Sequence, residues 1–176
     1  MDEKTILLRL GLAVLFGVII GLEREHKNKD AGATTHALVA LAAALLVIVS
    51  KEGFKYAADG MLLSTDGSRV AASIIPGIGF LGAGAIIVRG DRVSGLTTSA
   101  GILITAAIGM GFGSGLYEVS ATAAVLVFFV LFGTRLLDDL REKRAAKRAA
   151  KRAQNKDPRQ YDHEQDVGPV QERAQK

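Results

Sequence analysis

The sequence predicts an all-α membrane protein with about five transmembrane helices, glycine-rich helix packing and a basic helical tail at its C-terminal end. The 176 residues are 49% hydrophobic, with a mean hydropathy of +0.26, and most of the 20 glycines lie inside apolar runs. Charge is segregated, because the whole net charge of +4 comes from residues 135–176. The pI near 9.5 therefore reflects a basic appendage and gives no support for nucleic-acid binding.

The first three apolar runs each predict one membrane-spanning helix, because about 20 helical residues cross the hydrocarbon core of a bilayer. Residues 6–22 are interrupted only by Arg9, which lies close enough to an end for its guanidinium to reach the interface. No small-residue cleavage pattern follows this run, which indicates an uncleaved signal anchor. Residues 35–50 form a shorter apolar run, and residues 70–88 carry no charge.

The fourth apolar region is long enough for two helices. Residues 95–134 contain a single charged residue, Glu118, and one helix of that length would measure about 60 Å. The chain is expected to break near Gly113, Ser114 and Gly115, since glycine accommodates a turn. The count is then five spans, or four if residues 35–50 only dip into the bilayer.

The cations after the fifth span predict the orientation. Eight lysines and arginines lie between Arg135 and Arg152, and cytoplasmic segments are enriched in these residues. The C-terminal end is therefore predicted to lie in the cytoplasm, and the charged segments 23–34 and 89–94 then share that face. A soluble all-α protein is the disfavoured alternative, because residues 70–88 provide no polar side.

Three segments are predicted along the chain: a membrane domain at residues 1–137, a basic cytoplasmic helix at residues 138–155 and a disordered tail at residues 156–176. The basic segment repeats the unit KRAA, and its non-polar positions are alanines, so it lacks a bulky face for insertion. Its cations between Arg141 and Arg152 either form a solvated stop signal or attract anionic lipid headgroups.

A functional polar site is predicted where the two charged segments of the cytoplasmic face meet. Gly17 and Gly21 lie four residues apart and allow a close helix approach that leads into Arg24 and Glu25. The charges of residues 89–92 are expected to pair with those of residues 23–25. The alternative is a solvated loop without a specific role. The predicted site comprises Glu23, Arg24, Glu25, Lys29, Thr35, His36, Arg89, Asp91, Thr97 and Thr98.

His36 opens the second helix, and Thr34 or Thr35 is predicted as the N-cap of that helix after a turn at residues 31–32. One histidine in a chain without cysteine does not make a zinc site. A bound Mg²⁺ is a minor alternative that would need oxygen ligands, so the metal question stays open. No organic cofactor is expected. The candidate oxygen ligands are Glu23, Glu25, Asp30 and Asp91.

The glycines of GIGFLGAG match the spacing of a dinucleotide-binding fingerprint. That motif needs a preceding strand and an acidic residue about 20 positions further on, whereas Asp91 follows too closely. The favoured interpretation is a packing face in a helix disturbed by Pro76, and the alternative is an unwound segment that exposes carbonyl groups to an ion. The glycines predicted to pack helices are Gly17, Gly21, Gly77, Gly79, Gly82, Gly84, Gly101 and Gly109.

Small and polar residues alternate on one face of the fourth predicted helix, at Thr98, Gly101, Thr105 and Gly109. Such a face usually makes hydrogen bonds between helices and less often lines a water-filled path. No serine–histidine–acid set or pair of inward-facing carboxylates emerges from the sequence, so an enzyme is not expected.

Three motifs in register resemble the MgtC/SapB family of bacterial inner-membrane proteins. They are GLEREHKNKDAG-x-x-TH, GIGFLGAG, and GLTT-x-A followed by TAAIG, and the resemblance covers about residues 7–137. The resemblance implies a membrane domain of about five spans in the inner membrane. It also implies a role in survival at low magnesium, in ion balance or in regulating membrane-energy machinery, without implying transport.

Several positions depart from the family pattern. Ala33 and Thr34 stand where a bulky apolar residue and an arginine are usual, and Ser73 and Pro76 stand where glutamine and serine commonly precede GIGFLGAG. Leu103 replaces a frequent aromatic residue. The 39 residues after position 137 are too few and too charged for the ACT-like C-terminal domain of virulence-type members.

The functional prediction is a bacterial inner-membrane protein that modulates magnesium-linked ion homeostasis or membrane-energy machinery. Its expected surroundings are the lipid bilayer and either further copies of the chain or a membrane-protein partner. One alternative is a cation channel or transporter with a path lined by residues 76–84 and 98–105. Another is a membrane scaffold that recruits partners through its basic tail.

Overall fold

Five helices and one short β-hairpin make up the described part of the chain, residues 1–53 and 67–154 of this computed structural model. The chain divides into two compact units, Met1–Phe132 and Gly133–Lys176. The elements are α1 (Glu3–His26), α2 (Ala33–Gly53), α3 (Gly67–Gly84), β1 (Ile87–Arg89), β2 (Arg92–Ser94), α4 (Leu96–Ser114) and α5 (Tyr117–Gln154).

Three helices are long and apolar enough to cross a membrane. They are α1, the stretch Ala33–Glu52 of α2, and α4. The apolar stretches Arg69–Gly84 of α3 and Tyr117–Gly133 of α5 are shorter, and a short stretch crosses a bilayer only with local thinning or help from flanking residues. The described part of the chain is therefore helical with three candidate membrane spans, and the count of five stays a prediction.

The segment between α3 and α4 folds into a β-hairpin, which corrects both the all-α prediction and the extent of the predicted third span. α3 ends at Gly84, and Val88 pairs with Val93 in an antiparallel ladder. Gly90, with φ 58°, begins a two-residue turn, as in tight hairpin loops. Strands of three residues are too short to show a readable alternation of apolar and polar residues, so the sequence pattern concealed them.

Two local predictions about helices are also wrong. α2 begins at Ala33, so Thr34 and Thr35 lie exposed within its first turn and neither is the N-cap. The carboxylate of Glu25 instead accepts a hydrogen bond from the Ala33 N–H at 3.1 Å. α3 continues as a helix through Pro76, so the unwound segment considered there does not form. Neighbouring groups commonly accommodate proline in membrane helices.

The predicted break between the fourth and fifth helices is confirmed. Gly115 adopts a left-handed backbone conformation with φ 86°, directly after the end of α4. The Leu116 N–H donates to the Gly111 carbonyl at 2.9 Å, and the Gly115 N–H donates to the Phe112 carbonyl at 3.0 Å. This pair of hydrogen bonds is the Schellman motif, which glycine favours because it has no Cβ.

α2 lies between two apolar clusters. Ala40 and Ala44 contribute to a cluster that contains Phe112 of α4, whereas Ala43 contributes to a second cluster with Ile74 of α3. Alanine side chains add little width to a helix, so neighbouring helices can approach the α2 backbone from both sides.

Glycines of α1 and α4 face the α2 backbone at close range. A Cβ at Gly17 would lie 2.7 Å from the carbonyl oxygen of His36, and a Cβ at Gly109 would collide with the Ala40 carbonyl. Gly21 approaches the start of α2 in the same way. Helix backbones in such contact gain dispersion energy that larger side chains would prevent.

The glycines of α3 lie in a different environment. A Cβ at Gly77, Gly79 or Gly84 would meet no atom within 4 Å among the described residues. Among the described residues, these three glycines therefore make no close helix contact of the kind predicted for them. Phe80, which lies between them in the sequence, is 78% exposed, whereas Ile74 and Ile78 of the same helix contribute to the apolar core.

Cations at one end of the bundle hold the C-terminus of α4. Arg9 donates to the Gly113 carbonyl at 2.8 Å, and Lys51 donates to the Ser114 carbonyl at 3.3 Å. Cations favour helix C-termini because unpaired carbonyls carry partial negative charge. The start of α1 and the ends of α2 and α4 are thus together, so the α1–α2 turn and the β-hairpin lie at the opposite end.

The backbone of α5 is helical to Gln154, through the segment predicted as a basic helix. Lys143, Lys147 and Arg148 are exposed. The disordered tail predicted for residues 156–176 lies outside the described residues.

Candidate functional site

The first helix ends in a defined turn rather than in a free loop. Asn28 has a left-handed backbone with φ 51°, and its N–H donates to the Glu25 carbonyl at 2.9 Å. The Lys29 N–H donates to the Arg24 carbonyl at 3.2 Å, which completes a Schellman motif. α1 extends to His26, so the first charged residues beyond the apolar run 6–22 are still helical.

Arg24 is the largest of the fully buried side chains, with 2% exposure. Its Nη1 lies 3.8 Å from Oε2 of Glu23, whereas its Nε and Nη2 have no hydrogen-bond acceptor among the described residues. Glu23 also forms an ion pair with Lys27 at 3.1 Å, although neither of its carboxylate oxygens accepts a well-aligned hydrogen bond. A buried guanidinium with unpaired donors is unfavourable, so Arg24 is a prime candidate for a functional side chain.

His36 lies in the interior and joins two spans. Its Nδ1 forms a hydrogen bond of 2.8 Å with Oγ1 of Thr105 on α4, and both side chains are fully buried. Gly101 lies beside the ring, and a Cβ there would be in van der Waals contact with Cε1 of His36 at 3.4 Å. Thr105 was not included in the predicted polar site, although its spacing of seven from Thr98 places both on one helical face.

The N-terminus of α4 is open because its capping position is a glycine. Gly95 has φ 86° and provides no side-chain hydrogen bond to the helix, and its carbonyl accepts the Ser99 N–H at 2.8 Å. The N–H groups of Leu96, Thr97 and Thr98 precede this first bond and have no acceptor within the helix. Gly82 of α3 packs beside this turn, against the Ser99 hydroxyl.

The tip of the β-hairpin does not form the predicted ion pairs with the first charged segment. Arg89, Asp91 and Arg92 are exposed, and within the described ranges no ion pair links them to residues 23–25. The carboxylates of that segment already interact locally, Glu23 with Lys27 and Glu25 with the start of α2.

An open cavity of about 510 Å³ nevertheless brings the two charged segments together. It lies between the α1–α2 turn, the β-hairpin and the first turn of α4. Five residues of the predicted site line it, and they come from both segments. The lining residues are Arg24, Asn28, Lys29, Asp30, Ile87, Arg89, Val93, Ser94, Gly95, Leu96, Thr97 and Thr98.

The other five predicted site residues lie outside the cavity. Glu23 and Glu25 organise the α1–α2 junction, and His36 lies within the helical core. Thr35 and Asp91 are exposed. All ten predicted residues lie toward the same end of the bundle, but the sequence did not distinguish those that line the cavity from those around it.

Several lining residues escaped the sequence analysis. Asn28 belongs to the charged segment 23–34, and a turn between two helices was a usable signal for it. Asp30 was predicted only as a candidate metal ligand. Ile87, Val93 and Leu96 line the cavity only because the hairpin folds back. These three residues were predicted to lie in or next to apolar spans, and such positions did not indicate that they line a cavity.

The cavity is suited to a ligand that accepts hydrogen bonds, because most of its polar lining groups are cations or hydrogen-bond donors. Three cations and one carboxylate line it, together with hydroxyl groups and the start of a helix. No group of three or more histidines, cysteines or carboxylates converges within residues 1–53 and 67–154. The four carboxylates considered as magnesium ligands therefore do not converge there.

Relatives of the chain occur among known bacterial proteins. It is 45% identical over 125 residues to a protein of Escherichia coli K12 named putative magnesium transporter YhiD, covering 71% of this chain and 58% of that protein. It is 41% identical over 136 residues to Protein SapB of Bacillus subtilis, covering 77% and 57%. It is also 41% identical over 137 residues to Protein MgtC of Brucella abortus, covering 77% and 53%.

The chain therefore spans somewhat more than half the length of these curated relatives. No solved structure matches it. The model of the MgtC family matches residues 10–140, which include most of α1, the apolar parts of the other four helices and the whole cavity. With this match over most of its length and with relatives above 40% identity, the chain belongs to the MgtC family.

Proposed function

We propose that the chain is a multi-pass protein of a bacterial inner membrane, with a cytoplasmic C-terminus, that modulates magnesium-linked ion homeostasis or membrane-energy machinery. It acts without catalysing a reaction, as a homo-oligomer or together with a membrane-protein partner. A link to magnesium handling is supported by family membership and by the name of the relative from Escherichia coli.

The observation that carries the proposal is the burial of Arg24 beside the cavity, at the end of an otherwise apolar bundle. Charged groups at membrane depth are unfavourable and usually serve function. The part of the chain shared with the family contains this arginine and its surroundings. The proposed modulation therefore depends on what this face of the bundle binds.

Transport of a cation is the second candidate function, because one relative is named a putative magnesium transporter. The arrangement of the predicted path gives this candidate less support. Thr105 is engaged with His36, whereas a Cβ at Gly77 or Gly79 would meet no described atom within 4 Å. The three cations at the cavity also repel Mg²⁺, which binds preferentially to carboxylate and carbonyl oxygens.

A scaffold role through the basic segment is compatible with the main proposal. The exposed side chains of Lys143, Lys147 and Arg148 are suited to anionic lipid headgroups, each cation near a membrane surface contributing about 1 kcal/mol. This attraction would hold the segment between residues 141 and 152 at the cytoplasmic leaflet.

Growth at limiting magnesium tests the main proposal. A strain lacking the gene is expected to grow poorly in low magnesium and to recover when the wild-type chain is supplied. Arg24→Ala and Lys29→Ala are expected to restore growth poorly, because each removes a cation from the cavity. Growth curves across a magnesium series measure the effect.

Arg92→Ala is the matched control, since Arg92 is an exposed hairpin cation that does not line the cavity. It is expected to restore growth like the wild type. Immunoblots of membrane fractions establish that all variants are present at equal levels. Full recovery with Arg24→Ala and Lys29→Ala at wild-type levels would show that the cavity is not the functional face.

Magnesium flux into proteoliposomes separates modulation from transport. Vesicles that contain the purified chain and a magnesium-sensitive dye are expected to take up Mg²⁺ no faster than empty vesicles. Uptake above that background, at a rate proportional to the amount of protein, would favour the transporter over the modulator.

A further inference from the structure

We infer that the cavity between the α1–α2 turn and the start of α4 binds a phosphate group, supplied either by a phospholipid headgroup or by free phosphate. Three features converge on this ligand: an excess of positive charge, the open N-terminus of a helix and an unpaired edge of a buried arginine. The inference rests on the proposed function, because it names the class of ligand bound at the same face of the bundle. Its binding test involves no magnesium, so it can fail independently of the growth test.

The charge of the cavity favours an anion. Arg24, Lys29 and Arg89 line it, and Asp30 is the single carboxylate among the lining residues that the structure describes. Arg24 is buried, whereas Lys29 and Arg89 are exposed. A concave site with a net positive charge and low-dielectric walls concentrates anions.

The start of α4 adds hydrogen-bond donors to the same cavity. Leu96, Thr97 and Thr98 all line it, and their N–H groups precede the first hydrogen bond of the helix. The preceding Gly95 lacks a side chain that would occupy these donors. Helix N-termini with free N–H groups bind phosphate because the donors and the helix dipole both favour negative charge.

Arg24 supplies the independent observation. Its side chain is 2% exposed, and the two nitrogens that find no acceptor among the described residues, Nε and Nη2, form one edge of the guanidinium. That edge presents two parallel N–H bonds, which can donate bidentate hydrogen bonds to two oxygens of a phosphate. Glu23 approaches the other nitrogen, Nη1, and forms an ion pair with Lys27, so it does not bind the edge formed by Nε and Nη2.

A phosphate group suits these donors better than a monatomic anion. Its several oxygens can accept hydrogen bonds from the arginine edge and from the helix N–H groups at the same time. The lining also contains apolar side chains, Ile87 at 41% exposure and Leu96 at 59% exposure. These side chains could contact the glycerol part of a phospholipid, so a headgroup and a free ion are both sources of the phosphate.

Binding to the purified full-length chain in a neutral detergent tests the inference. Inorganic phosphate and monomeric dihexanoyl phosphatidylglycerol are titrated separately, with sodium chloride and sodium acetate as controls at equal ionic strength. Calorimetry measures the affinity, and the midpoint of thermal unfolding reports stabilisation by any ligand that binds the folded state.

The variants follow from the geometry. Arg24→Lys keeps the charge but removes the edge with two parallel N–H bonds. The double variant Lys29→Ala with Arg89→Ala changes only exposed side chains. Each is expected to weaken phosphate binding by about tenfold or more. Arg92→Ala removes a neighbouring cation outside the cavity and is expected to leave the affinity unchanged.

The two arms identify the source of the phosphate. Saturable binding of phosphatidylglycerol alone assigns a headgroup, binding of inorganic phosphate alone assigns the free ion, and binding of both assigns the shared phosphate group. Equal stabilisation by chloride or acetate would overturn the inference. So would binding that the double variant leaves unchanged, or an absence of binding in both arms.

Discussion

Gly109→Ala is expected to lower the stability of the helix bundle by about 3 kcal/mol, at the upper end of the usual effect of overpacking. The added Cβ would collide with the carbonyl oxygen of Ala40, and it would also lie 2.8 Å from the Cα and 2.9 Å from the carbonyl carbon of that residue. All three are backbone atoms of α2, so the strain cannot be relieved by a change of rotamer. The midpoint of thermal unfolding in detergent, followed by size-exclusion chromatography, measures the loss.

Gly79→Ala is the matched control for this prediction. Gly79 is also a glycine within an apolar helix, but a Cβ there would have open space. Alanine is favoured over glycine in a helix interior by about 0.5–1 kcal/mol, so this variant should match or slightly exceed the wild type in stability. Equal destabilisation by both substitutions would mean that α4 does not contact α2 through Gly109.

Gly95→Ala is expected to disrupt the junction between the β-hairpin and α4. Gly95 has φ 86°, a conformation that costs other residues about 1–2 kcal/mol. Its Cβ would also collide with the carbonyl of Ala85 at the end of α3, which adds roughly 1–3 kcal/mol of overpacking. The variant should unfold at a lower temperature. Trypsin should also cleave it faster than the wild type after Arg89 and Arg92, because cleavage requires the hairpin to unfold locally.

Gly90→Ala separates the two contributions. Gly90 also has a positive φ, 58°, but a Cβ there would meet nothing within 4 Å. Only the conformational cost should apply, so the shift in unfolding temperature is expected to be clearly smaller than that of Gly95→Ala. Shifts of equal size would indicate that the contact with Ala85 is unimportant and that conformation alone requires glycine at both positions.

These two glycines connect the packing of the bundle to its cavity. Gly109 sets the distance between α4 and α2, and Gly95 sets the direction in which α4 begins. The cavity lies at that first turn of α4, beside Arg24. A variant that shifts α4 is therefore expected to weaken ligand binding even though the substituted position does not contact the ligand.

Hydropathy and length were sufficient to predict the helical architecture. A run too long for one bilayer crossing required a break, and glycines near Gly113 indicated its place. Alternation of helix direction then placed residues 23–34 and 89–94 on one face. The cavity lined by both segments agrees with that placement.

The sequence was a poor guide to how individual polar residues are used. Arg24 and Glu25 are neighbours in a charged segment, yet Arg24 is buried whereas Glu25 is exposed and holds the Ala33 N–H. Consecutive helical residues point about 100° apart, so which of them is buried depends on where the partner helix lies. Composition alone could not distinguish the two.

The glycine motifs show the same limit. Gly17 and Gly109 contact the α2 backbone, whereas a Cβ at Gly77 or Gly79 in the motif GIGFLGAG would meet no described atom within 4 Å. A small residue permits close approach but does not supply a neighbour, and the neighbour is decided by the arrangement of whole helices.

By itself, the sequence determined that the chain is helical, that it is apolar enough for a membrane and which end of the bundle carries the charged segments. These properties follow from the hydropathy, length and charge of each segment, which can be summed over its own residues without knowing its neighbours in space. Only the tertiary structure decided that Arg24 is buried with one edge unpaired, and that a hairpin places Arg89 near it. Both depend on contacts between segments that are distant in the sequence, and a local pattern of residues does not show which segments meet.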